Sequence, residues 1–99
     1  MALRRLEFHP AALSEAVSAR QWYAARSPWA GGAFIAEVEE AIRDIRAHPR
    51  RWPRRRHGTR RRVLSRFPFV VVYREYTDLI RIIAVAHASR RPDYWARRR

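Results

Sequence analysis

The side chains best suited to chemistry in this sequence lie in its second half. His87 closes a long apolar run, Leu79-Ile80-Arg81-Ile82-Ile83-Ala84-Val85-Ala86-His87. A histidine at the rim of a sheet can exchange protons near neutral pH; the competing reading is a structural histidine that bonds the turn after the strand. Arg90, Arg91, Tyr94 and Trp95 follow, a set in which aromatic rings could stack on bases while guanidinium groups hold phosphate. Alternatively, Trp95 folds back to cap the sheet edge. Arg60, Arg61 and Arg62 suit a phosphate or an acidic partner, or form a solvated face. Strand alternation sends Arg61 to the face opposite Arg60 and Arg62. Cysteine is absent, and His9, His48 and His57 share no metal-ligand spacing, so neither a metal nor a cofactor is expected.

Charge frames these candidates. The net charge is +13, every basic residue is arginine, and the excess is confined to residues 50–99, where the only acids are Glu75, Asp78 and Asp93. Such a field attracts phosphate backbones or acidic protein surfaces. At 47% hydrophobic with four tryptophans, the chain is too apolar for disorder, and its 99 residues bound it to one domain. With no apolar run of transmembrane length and no apolar leader after Met1, a soluble cytoplasmic protein with no membrane contact is expected.

The elements that must position these residues follow from periodicity. Leu3 to Phe8 reads as a short strand. Pro10 to about Arg26 reads as a first helix, with Leu13, Ala16, Val17, Tyr23 and Ala24 near helical spacing. Ser27-Pro28 reads as the cap and first position of a second helix. Ile35, Val38, Ile42 and Ile45 form that helix's apolar stripe, Glu37, Glu40 and Asp44 fall outside it, and Pro49 ends it. Residues 48–62 hold eight arginines and no acid, which predicts an exposed basic loop around Trp52. Strands are expected over Arg61–Arg66, Phe69–Tyr76 and Leu79–His87, with Thr77-Asp78 as a turn. The tail, residues 88–99, has room for one helical turn. The class is α+β: an N-terminal strand, a helical hairpin, then a three-stranded antiparallel sheet (β-α-α-β-β-β), with the helices on one face.

In this order the motifs resemble a known family. Pro49-Arg50-Arg51-Trp52-Pro53, Gly58, Arg60-Arg61-Arg62-Val63-Leu64, Arg66-Phe67-Pro68-Phe69-Val70-Val71-Val72-Tyr73-Arg74, Ile83-Ala84-Val85-Ala86-His87 and Arg90-Arg91-Pro92-Asp93-Tyr94-Trp95 are similar to the RelE/ParE toxin superfamily of type II toxin–antitoxin systems, in its ParE-like branch. The resemblance implies a toxin held in a hetero-oligomer by a cognate ParD-like antitoxin, with DNA gyrase as its target. Relatives in the RelE branch are instead ribosome-dependent mRNA endonucleases. In that alternative, His87, Tyr94 and Arg91 would be catalytic, serving an attack by the ribose 2′-hydroxyl that needs an acid, a base and cations. Two cations of the RelE pattern are missing, with Val71 and Ala88 in their places. Their charge, aromatic character and position make Arg60, Arg61, Arg62, Arg90, Trp95, Trp22 and Tyr23 the candidates for partner or target binding. Trp22, Tyr23 and Trp29 flank the helical turn and suit hairpin packing or antitoxin contact.

Overall fold

The computed structural model describes residues 4–99. Its elements run β1 (Arg5–Phe8), α1 (Pro10–Arg26), α2 (Ala30–Ala47), a short 3-10 turn (Arg56–Gly58), β2 (Arg60–Val63), β3 (Phe69–Glu75) and β4 (Leu79–His87). The expected element order and α+β class are borne out. The expected start of the first strand, Leu3, lies outside the described residues.

The four strands form one sheet in the order β1-β4-β3-β2. The last three strands are antiparallel, as expected, and β1 adds a parallel strand beside β4. That placement follows from the helical hairpin, because a parallel pair needs a crossover long enough to return the chain to the same end. Between β3 and β4 the register passes from Val72↔Ala84 to Tyr73↔Ile82, so Ile83 is bulged. As a result Ile82 faces the helices, whereas Ile83 and Ala84 both face the other side.

α1 begins where Pro10 sets the first turn, and the His9 Nδ1 accepts the Ala11 N–H at 3.0 Å. The face it buries is Ala12, Ala16 and Ala19, not the expected Leu13 and Val17, which are 52% and 46% exposed. Small residues on the buried stripe let the helix lie close to the sheet. α2 begins at Ala30 with Trp29 as its cap, so Ser27-Pro28 is a connecting turn and not a helix start. Ser27 instead ends α1, its N–H donating to the Tyr23 carbonyl at 3.1 Å. The hairpin closes tightly at Gly31, where a Cβ would stand 2.9 Å from the Ala24 Cβ and 3.1 Å from the Arg20 carbonyl oxygen.

Two cores result. Between sheet and helices, Phe34, Val38, Ile45, Val71, Ile80 and Ile82 are buried, and Tyr23, Phe34, Phe67 and Phe69 form an aromatic cluster with ring centroids 4.8–6.2 Å apart. Tyr73 reaches through this core to donate its hydroxyl to the Pro49 carbonyl at 2.6 Å, and burial pushes that phenol up to about 12. On the other face, Val72, Ile83, Ala84 and Ala86 are covered by Trp95, which is 6% exposed. The tail is a run of turns that turns back over the sheet, so Trp95 covers a face and not an edge.

Glu37 corrects a second expectation. It is 4% exposed within α2, not on the helix's polar side. Its carboxylate accepts the Ser65 and Arg66 N–H groups at 2.5 and 2.9 Å, and the Arg66 guanidinium lies 3.2 Å away. Burial pushes its pKa up, but these donors outweigh it and hold the carboxyl below its ordinary value. The buried acid thus anchors the turn between β2 and β3.

Candidate functional site

The basic segment of the sequence is divided by the sheet. β2 starts at Arg60, one residue earlier than expected, and ends at Val63. Its alternation directs Arg60 and Arg62 to one side. Arg60 donates to the Trp52 carbonyl at 2.6 Å and lies 3.9 Å from Glu75; Arg62 donates to Asp44 of α2 at 2.8 Å. Both are 17% exposed and serve as internal ties. Arg61 points to the opposite face, exposed and with no ion-pair partner among the described residues.

Above Arg61 lies a cleft of about 550 Å³. Val70 and Trp95, the latter lying over Val72 and Ala86, line its base, with Arg55 and Arg56 on one side and Arg90 and Arg91 on the other. Asp93 is the only carboxylate lining it, and it sits 4.0 Å from Arg56 and 3.9 Å from the His57 ring nitrogen. One guanidinium holds both walls in place: Arg74 of β3 donates to the His57 carbonyl at 2.9 Å, to the Ala96 carbonyl at 3.2 Å and to the Arg98 carbonyl. The local backbone makes these turns possible, since His57, Gly58 and Asp93 all take positive φ.

His87 stands at the rim of this cleft. Its Nδ1 accepts the Ser89 N–H at 3.0 Å and lies 2.7 Å from the Ser89 hydroxyl. An accepting Nδ1 carries no proton, which leaves the proton on Nε2. Tyr94 lines the cleft with its ring, and Arg90 lies 4.0 Å over that ring. Its hydroxyl is turned away, donating to Glu15 of α1 at 2.5 Å. Glu15 also accepts the Val85 N–H at 3.1 Å and two bonds from Arg98 at 2.9 and 3.1 Å. Burial, then the bond and charge of Glu15, push the Tyr94 phenol well above its ordinary range. Arg91 is exposed at the mouth of the cleft.

Of the three residues of the nuclease reading, therefore, two present polar groups to the cleft and the third has its hydroxyl committed elsewhere. Val71 is fully buried against the helices, so its side chain is on the wrong face to serve the cleft. The β3 residues that do face the cleft, Val70 and Val72, are apolar. Ala88 lies on the lining and brings no charge.

A second surface lies on the outside of the helical hairpin. Leu13, Val17, Ile35 and Ile42 line an apolar groove of about 460 Å³, edged by Arg20, Glu39 and Arg43. Near the hairpin turn, Trp22 is 52% and Trp29 81% exposed. These two tryptophans are not hairpin packing. The Arg26 guanidinium covers Trp22 at 3.4 Å from the ring centroid. Tyr23, by contrast, belongs to the aromatic cluster of the core.

Comparison with known proteins fixes the family. The family model described as the ParE toxin of the type II toxin-antitoxin system, parDE, matches residues 6–92. The chain belongs to the ParE toxin family. A solved structure described as the chromosomal ParDE TA system from P. aeruginosa is similar in fold, with a TM-score of 0.76 at 16% identity, covering 88% of this chain and 98% of that one. No curated protein matches the sequence. No helix among the described residues is long and apolar enough to cross a membrane, and no cluster of His, Cys, Asp or Glu among them could hold a metal ion.

Within this ParE-family fold, the structure gathers Arg61, His87, Arg90 and Arg91 around one cleft and separates Arg60 and Arg62 from them. Trp95 is interior, and Trp22 and Tyr23, near the end of α1, share a second cavity of about 670 Å³ with Glu15, His87, Arg90 and Tyr94. Sequence reasoning missed Glu15, Arg74 and the Leu13–Val17 face. One signal for the last was available: Ala12, Ala16 and Ala19 mark a close-packed stripe at helical spacing, and Leu13 and Val17 stand one position off it.

Proposed function

We propose that this chain is a toxin that arrests growth by binding an essential protein, DNA gyrase, and that a cognate ParD-like antitoxin neutralises it. The ParE family match across residues 6–92 carries this reading. The absence of a strand-three cation in the cleft and the commitment of the Tyr94 hydroxyl to Glu15 favour binding over RNA chemistry. The antitoxin's amphipathic helix would seat on the groove of Leu13, Val17, Ile35 and Ile42, an exposed apolar strip of the kind that accepts an i, i+3, i+4 stripe. Acidic residues on that partner would pair with the arginine excess of residues 50–99.

A supercoiling assay with purified gyrase tests the target. Inhibition by micromolar toxin, relieved by the antitoxin, is the expected result. Unimpaired supercoiling together with cleavage of mRNA on ribosomes would replace this reading with the RelE-type alternative.

A further inference from the structure

The cavity beside α1 goes unused by that reading. It encloses about 670 Å³, is lined by no residue of α2, and shares only His87, Arg90 and Tyr94 with the cationic cleft. We infer that it binds a free organic acid, an aromatic ring system carrying one carboxylate, independently of any gyrase or antitoxin contact.

Side-chain size along α1 opens the space. Ala11, Ser14, Ser18 and Trp22 recur every three or four residues and so share one ridge of the helix. The first three are small. Opposite them β4 runs on to His87 after its pairing with β1 ends at Ile82, so no strand fills the gap. Aromatic rings wall what remains: Tyr23 and Phe69 stand with centroids 6.2 Å apart, and Trp22 meets Tyr23 edge-on at 5.1 Å. Apolar walls around a few convergent polar groups, at this volume, are the usual form of a small-molecule site.

The polar groups select the charge. Glu15 is the only carboxylate on the lining, and its oxygens are taken by the Tyr94 hydroxyl, the Val85 N–H and Arg98, whose charge offsets its own. Arg90 lies over the Tyr94 ring and pairs with no acid among the described residues; Asp93, close to it in sequence, sits beside Arg56 and His57 instead. With the His87 Nδ1 accepting from Ser89, the Nε2–H is left to donate. An organic cation would meet an uncompensated guanidinium here, whereas a carboxylate gains a charge-assisted bond. A peptide terminus also carries a carboxylate, but an extended peptide is held through backbone bonds at a sheet edge. Along the β4 edge beyond Ile82, Glu15 holds the Val85 N–H, Arg98 the Ile83 carbonyl and the Arg90 N–H the His87 carbonyl. That edge is capped, which favours a free molecule.

Titration of the full chain with naphthaleneacetate, naphthaleneacetamide and naphthylethylamine, followed through the indole N–H signals of the tryptophans in NMR spectra, tests the inference. Naphthaleneacetate is expected to shift the Trp22 signal with a Kd on the order of 0.1 mM, and to leave that of Trp29, which is more exposed but off the lining, in place. The amide is expected to bind about fivefold more weakly, and the amine more weakly still. Arg90→Ala should abolish the preference for the acid, while Arg91→Ala, which removes the same charge outside this cavity, should change it by less than about twofold. Ser18→Phe fills the cavity from an exposed helix position and should prevent binding while melting like the parent. Equal binding of the three probes would reduce the cavity to an apolar hole and overturn the inference. Shifts of Trp29 as large as those of Trp22, parent-like binding by Ser18→Phe, or no shift at millimolar acid would overturn it too. An Ala-Ala-Phe peptide with a free carboxylate that binds more tightly than naphthaleneacetate would show a site for chain termini instead.

Discussion

The hydroxyl of Tyr94 donates to Glu15 at 2.5 Å, joining the C-terminal tail to the first helix across 79 positions of sequence. Arg98 completes the knot, bonding both oxygens of Glu15 and the Ile83 carbonyl at 3.1 Å. One carboxylate thus ties the tail that brings Trp95 onto the sheet to α1, beside the bonds from Arg74 and Arg81 to the tail's carbonyls. Glu15→Ala would leave the Arg98 charge, the Val85 N–H and the Tyr94 hydroxyl without their acceptor. A loss of about 3–5 kcal/mol is expected in urea denaturation, against about 1 kcal/mol for Tyr94→Phe, which removes one hydrogen bond. Equal small losses for the two variants would mean that the knot does not hold the tail.

The same geometry bears on function. If the chain acts by binding, Tyr94→Phe and His87→Ala should remain as toxic as the parent in a plasmid-induced growth assay. Loss of toxicity in a His87→Ala variant that still folds would restore acid–base chemistry to the cleft.

At the turn of the helical hairpin, a methyl group on Gly31 would meet the Ala24 Cβ at 2.9 Å and the Arg20 carbonyl at 3.1 Å. Neither neighbour is the flexible end of a side chain. Gly31→Ala is therefore expected to destabilise by about 1–3 kcal/mol despite alanine's higher helix propensity. Gly32→Ala, which meets nothing within 4 Å, should stabilise slightly. The contrast between the two, measured by thermal melting, isolates close packing from propensity.

Acid should unfold this protein through its internal acids. The Glu37 carboxyl, and that of Glu75 beside Arg4 and Arg50, are held below the ordinary value of 4.5 because their donors outweigh burial. A folded pKa below the unfolded one gives stability that is full above the unfolded value and is lost as pH falls through the folded one. His9 acts in the same direction: burial, then Arg98 and Arg81, hold its ring below 6.5, so the folded state favours the neutral form. Denaturation midpoints are expected to decline gently below pH 6.5 and steeply below 4.5. Glu37→Gln should blunt the steep portion, and an unchanged profile in that variant would remove Glu37 from the account.

The groove proposed for the antitoxin makes a separate prediction. Leu13→Glu and Val17→Glu place charge on an exposed strip and should leave stability within about 0.5 kcal/mol. They should nevertheless weaken antitoxin binding by on the order of a hundredfold, since an apolar anchor is lost and a charge is desolvated. Titration calorimetry against the antitoxin distinguishes this from a general loss of folding.

Periodicity and composition alone determined the element order, the helical hairpin, the apolar central strand and the concentration of charge in residues 50–99. Those are properties of neighbours along the chain, and local spacing records them. Which side of an element meets what is not local. The alternation of Arg60, Arg61 and Arg62 was legible, but that Asp44 and Trp52 would occupy two of them and leave Arg61 free depended on where α2 and the basic loop come to rest. Leu13, Ala16 and Val17 all read at helical spacing, yet the closeness of helix to sheet buried Ala16 with Ala12 and Ala19 and left Leu13 and Val17 outside. Glu37 read as solvated because it is charged; only the fold brings Ser65 and Arg66 to it, and only those donors make its burial tolerable. The cleft has the same origin, since Arg74, Arg61 and Arg91 lie on three segments that meet only when the tail crosses the sheet.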